Sequence, residues 1–138
     1  MTIRRASQPL VLVVDDEPSV LEEVAAVLRR AHFACLTCAS PAEALEAVRQ
    51  EPPDLIICDI NLNGESGLEL CERIKQNPEL RDMPVMFLSG AQIPDIIRRS
   101  HAVGGAYYLR KPFDPDVLRE LIDKAMWMPH LVAAHAGT

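Results

Sequence analysis

The chain has 138 residues, 49% of them hydrophobic, a formal net charge of −6 and a pI near 5.1. That length and apolar content suit one domain with its own core, and the acidic balance excludes the basic footprint by which a protein neutralises nucleic-acid phosphates. The apolar runs, such as LVLVV at 10–14, fall far short of the roughly 18 residues that cross a bilayer, and the stretch after Arg4 and Arg5 ends in Asp15 and Asp16 without a cleavage pattern, so a cytoplasmic protein is expected.

In chain order, LVLVV (10–14) reads as a first strand, continuously apolar as a strand buried on both faces must be. Val20, Leu21, Val24, Val27 and Leu28 then recur at helical spacing, with Pro18 suited to a first turn. ACLTC (34–38) is a second strand. Its Cys35 and Cys38 make a CxxC, but on a strand they face opposite ways and no second pair completes a metal site. With Cys58 and Cys71 they read as buried structural thiols. SPAE (40–43) is a capping box with proline at the first helical position, and Ala44, Leu45 and Val48 supply the apolar stripe.

DLIIC (54–58) is a third strand and runs directly into Asp59, a carboxylate whose desolvation needs compensation. SGLE (66–69) repeats the capping pattern before Leu70, Cys71 and Ile74. PVMFL (84–88) and AYYL (106–109) are the fourth and fifth strands, separated by a helix at 92–102 that admits Pro94 only near its start. DPDVLRELIDKAM (114–126) opens with an Asp cap and a first-turn Pro, then places Val117, Leu118, Leu121, Ile122 and Ala125 on one side. His32, His101, His130 and His135 do not cluster with the cysteines and read as surface residues.

Five strands alternating with five helices imply an α/β fold, a doubly wound parallel sheet covered on both faces. In such a sheet a ligand binds beyond the carboxyl ends of the strands, where Asp15 and Asp16, Asp59, Ser89 and Lys111 all fall. Three carboxylates gathered there repel one another unless a cation sits among them. Mg²⁺ suits an all-oxygen site, and three acids, one divalent ion and the Lys111 ammonium sum to zero charge. A phosphoryl group entering such a site would meet the metal, a hydroxyl and an ammonium, with Asp59 as the nucleophile.

VLVVDDEP, LIICDINLNGESGLEL, VMFLSGA and GGAYYLRKPF, in this order and spacing, resemble the motifs of the CheY-like response-regulator receiver domain of two-component signalling. The likeness covers residues 9–127 of a single receiver domain at 1–138, leaving a short tail at 128–138. It implies a flavodoxin-like (βα)5 fold with strand order 2-1-3-4-5. It also implies that Asp59 is the phosphoacceptor, served by a sensor histidine kinase or a histidine phosphotransfer protein. Asp16 would bind Mg²⁺ directly, Asp15 mostly through water and Asn61 through its main-chain carbonyl. Ser89 and Lys111 would each hold a phosphoryl oxygen, and the peptide between Lys111 and Pro112 would be cis.

The resemblance further implies output through Ser89 and the switch aromatic Tyr108, read on the surface of the fourth helix, fifth strand and fifth helix by an effector protein or fused output domain. Such a chain is a signalling switch, catalysing only its own phosphorylation and dephosphorylation. Asn61 and Ala91 flank the line of water attack and would tune phosphoryl lifetime. Asn63 replaces a proline common in the family, an exchange expected to loosen its loop. Ala106 and Tyr107 stand where many members carry an acidic pair, so no charged dimer interface is assigned. Tyr107 is expected on the face opposite Tyr108, as a surface or partner contact.

A haloacid-dehalogenase-like phosphohydrolase uses similar groups, but puts its nucleophile after the first strand and its acidic pair last, the reverse of this order. A nonphosphorylated receiver-like adaptor would have no need of the full residue set. A nucleotide-binding flavodoxin-like role fails because DDEPS, in place of a glycine-rich loop, repels phosphate.

Overall fold

The computed structural model describes residues 8–90 and 106–127. β1 (Leu10–Val14), β2 (Ala34–Cys38), β3 (Leu55–Asp59), β6 (Val85–Ser89) and β7 (Ala106–Arg110) form one parallel sheet in the order β2-β1-β3-β6-β7. Counting sheet strands alone, this is 2-1-3-4-5. Its helices are α1 (Pro18–Arg30), α2 (Pro41–Gln50), α3 (Gly67–Ile74) and α4 (Pro115–Trp127). The helix expected at 92–102, Ala91, His101 and the tail lie outside the described residues.

Alternation along each strand builds two cores. Leu12, Val14, Ile56, Cys58, Val85 and Phe87 point to one face and pack with Ala44 and Val48 of α2 and Leu68, Cys71 and Ile74 of α3. Val11, Val13, Leu55, Ile57, Met86 and Leu88 point to the other, against Val24 and Leu28 of α1 and Leu118, Ile122 and Ala125 of α4. Both faces of the central strands β1, β3 and β6 are thus covered, which is why those strands carry no polar alternation, while Leu36 and Thr37 of the edge strand β2 are exposed. Phe33 stacks on Trp127, with ring centroids 6.1 Å apart, where α4 ends.

Helices α2, α3 and α4 begin where their capping residues stand, whereas Glu17 before α1 makes no side-chain capping bond. Ser40 Oγ accepts from the Glu43 N–H at 3.2 Å, and Ser66 Oγ from the Glu69 N–H at 3.2 Å. Asp114 Oδ1 accepts from the Asp116 N–H at 2.7 Å. All four cysteines are free, with Cys38 in one core and Cys35 packed against the other. Burial pushes the Cys38 thiol up to about 11, consistent with packing rather than chemistry.

One feature corrects the sequence reading. The segment after Asp59 is no loosened loop but a small antiparallel hairpin, in which β4 (Asn61–Leu62) pairs with β5 (Glu65–Ser66). Its turn residues Asn63 and Gly64 sit at φ 53° and 92°, the left-handed values of a type I′ turn. A proline cannot reach positive φ, whereas asparagine adopts it readily, so Asn63 suits this turn. The Asn-Gly pair in LNGE carried that signal.

Candidate functional site

The carboxyl ends of β1 and β3 and the segment after β7 bring the charged groups together. The Asp15 N–H continues the ladder to the Cys38 carbonyl at 3.0 Å, and its Oδ1 accepts from the Glu17 N–H at 2.9 Å, fixing the turn into α1. Asp59 ends β3, with the next N–H, that of Ile60, bonded to the Leu88 carbonyl at 3.0 Å. Asp59 Oδ1 accepts from the Asn61 N–H at 3.0 Å. The Lys111 N–H bonds the Ser89 carbonyl at 2.7 Å, and the Lys111–Pro112 peptide is cis.

Lys111 Nζ lies 2.8 Å from Asp15 Oδ2, 2.8 Å from Asp59 Oδ2 and 3.3 Å from Glu17 Oε1. Asp15 is 0% exposed and Asp59 6% exposed, whereas Asp16 and Glu17 are open to solvent. Burial raises the Asp15 pKa, against the lowering effect of Lys111. Burial would likewise lower the pKa of Lys111, but pairing with Asp15 and Asp59 outweighs it and the net direction is up. The ammonium is therefore fixed as a cation at neutral pH.

Asp15, Asp16, Glu17 and Asp59 bring carboxylate oxygens within 4.8 Å of one another. Glu17 is the member the sequence reading missed. In DDEP it reads as an ordinary acid at a helix start, and only the fold reveals its pairing with Lys111. It also corrects the charge balance: four carboxylates, one ammonium and a divalent ion leave a formal charge of −1 rather than zero. An all-oxygen set of four carboxylates, of formal charge −3 once the Lys111 ammonium is counted, fits a hard divalent cation.

A cleft of about 520 Å³ opens above these groups, lined by Asp16, Asp59, Asn61, Ser89, Gly90 and Lys111 among others. Asn61 Oδ1 accepts from the Gly64 N–H at 2.9 Å, bracing the hairpin turn where it forms part of the cleft wall. Tyr108 does not reach the cleft. Its ring packs on Phe87, with centroids 6.0 Å apart, and its buried hydroxyl has no partner among the described residues. Tyr107 points to the opposite face, where it is half-buried against the second core rather than fully exposed.

Residues 11–123 match the response regulator receiver domain family. The chain is 35% identical over 112 residues to the phosphate regulon transcriptional regulatory protein PhoB of Pseudomonas aeruginosa, covering 81% of this chain and 48% of that protein. It is 33% identical over 117 residues to the DNA-binding transcriptional regulator NtrC of Escherichia coli, covering 85% of this chain and 24% of that one. This chain thus spans about half the length of the first relative and a quarter of the second. Among solved structures, the chemotaxis protein CheY4 of Vibrio cholerae superposes with a TM-score of 0.82 at 28% identity, covering 86% of this chain and 99% of that one.

Proposed function

Since this chain belongs to the response regulator receiver domain family, we propose that Asp59 is its phosphoacceptor and that Asp15, Asp16, Asp59 and the Asn61 carbonyl hold Mg²⁺. The observation that carries this reading is the Lys111 ammonium shared between the carboxylates of Asp15 and Asp59 at the floor of an oxygen-lined cleft. When bound, the metal supplies positive charge to the phosphoryl oxygens and offsets the repulsion among the acids.

The chain's own residues do the rest. The Asn61 N–H holds one oxygen of Asp59 and so fixes the carboxylate's orientation. An Asp59 oxygen attacks phosphorus as the phosphorus–nitrogen bond of a donor phosphohistidine breaks; the bonding pair leaves on the imidazole nitrogen, which takes a proton from solvent. Lys111 neutralises charge on a phosphoryl oxygen, and the Ser89 hydroxyl, at the cleft rim, donates to another.

The donor is a sensor histidine kinase or histidine phosphotransfer protein. Output passes through Ser89 and Tyr108 to the surface that includes β7 and α4, where an effector or fused output domain reads it. Asn61 and Ala91 set how long the phosphoryl group lasts. The chain works as a switch that catalyses only its own phosphorylation and dephosphorylation. No helix among the described residues is long and apolar enough to cross a membrane; we place the protein in the cytoplasm, where kinases of this class deliver their phosphoryl groups.

Incubation with acetyl phosphate and Mg²⁺, read by intact mass, tests the assignment. Wild-type protein gains one phosphoryl group, Asp59→Asn and chelator-treated protein gain none, and Lys111→Ala is labelled slowly. Undiminished labelling of Asp59→Asn overturns it.

A further inference from the structure

We propose that Glu17 selects among phosphodonors: its carboxylate is the displaceable counter-ion of Lys111 and discriminates against donors of high negative charge. The inference rests on the reading of Asp59 as phosphoacceptor and adds to it a residue that sets donor preference. Three carboxylates surround the Lys111 ammonium, and an incoming phosphoryl oxygen must take the place of one. Asp15 is wholly buried and further held by the Glu17 N–H. Asp59 is the nucleophile and is held by the Asn61 N–H. Glu17 makes the longest of the three contacts, at 3.3 Å, and its side chain is 57% exposed.

Glu17 is therefore the partner that yields. Its carboxylate enters water at little cost, whereas releasing either of the other two would leave a desolvated charge unpaired. Until it moves, it stands in the lining of the cleft through which the donor arrives. Its repulsion grows with the donor's charge, so a dianionic acyl phosphate is hindered more than a monoanionic phosphoramidate. A donor protein that brings its own binding surface can offset this barrier, while a small metabolite cannot. The arrangement thus biases the switch toward its protein donor and away from unprogrammed phosphorylation.

The test compares Glu17→Gln with wild type at Mg²⁺ concentrations saturating for each, measuring initial rates with acetyl phosphate and with phosphoramidate. The substitution keeps side-chain length and the backbone N–H that holds Asp15, and removes only the charge. The acetyl phosphate rate should rise about fivefold, as one partly screened charge allows, and the phosphoramidate rate less than about twofold. Raising ionic strength should move the wild-type donor ratio toward that of the variant, because an exposed carboxylate is screened. A purely structural role would shift thermal stability without moving the ratio. Equal changes with both donors, or no change, overturn the proposal; wild-type protein that neither donor labels at Asp59 overturns the phosphoacceptor reading and this one with it.

Discussion

Gly67 begins α3 in a place where no larger residue fits. A Cβ there would stand 2.0 Å from the carbonyl oxygen of Asp59 and 3.0 Å from Sγ of Cys58. The Gly67 N–H is also bonded to the Ile60 carbonyl at 2.7 Å, so the helix start is pinned to the segment that follows Asp59. Gly67→Ala should therefore push on the backbone of Asp59 itself, costing about 1–3 kcal/mol of stability by overpacking and slowing acetyl phosphate labelling as well. Urea unfolding and the labelling assay measure the two effects, and a variant that matches wild type in both would show that the close approach is not real. The capping pattern SGLE was legible in the sequence because its partners lie three residues apart. The approach of Gly67 to Asp59 was not, and neither was the pairing of Glu17 with Lys111 across 94 positions, because only tertiary structure creates those neighbours.

At the level of elements, strands and helix starts were readable for a physical reason: a strand buried on both faces must be continuously apolar, and a helix must find acceptors for its first N–H groups. Strand ends were less readable. Ladder pairing depends on the backbone, so β3 and β6 continue into the polar residues Asp59 and Ser89 after their apolar runs stop. The hairpin from Asn61 to Ser66 was not readable as strands, because two residues on each side are too few to show an alternating pattern. Its Asn-Gly turn makes its own prediction. Asn63→Pro forces φ to about −65° at a position that sits at 53°, and should cost more than about 1 kcal/mol. Asn63→Gly accepts positive φ without strain and should remain close to wild type. Denaturant midpoints for the two variants decide the matter, and a stable Asn63→Pro protein would be incompatible with the type I′ geometry.

For the whole molecule, the doubly wound topology located the site from strand order alone, because it carries the ends of distant strands to one edge. The same topology concentrates negative charge there in a chain already at −6, and four carboxylates face a single ammonium among the described residues of that cluster. Folding therefore has to hold these acids together against their repulsion, and a divalent cation bound only by the folded state shifts the equilibrium toward it. Mg²⁺ at a hundred times its dissociation constant should add about 2.7 kcal/mol, which for a domain of this size raises Tm by roughly 10 °C. Asp16→Asn should lose most of that increment, because Asp16 is exposed, lines the cleft and brings a carboxylate oxygen into the acidic cluster without contributing to the core. The same variant should melt at or above the wild-type temperature in chelator, since one repelling charge has gone. A thermal melt of both proteins with Mg²⁺, with chelator and with K⁺ at equal ionic strength separates specific binding from screening. A wild-type Tm that responds to Mg²⁺ no more than to K⁺ would mean that the acidic cluster is balanced by Lys111 and solvent alone.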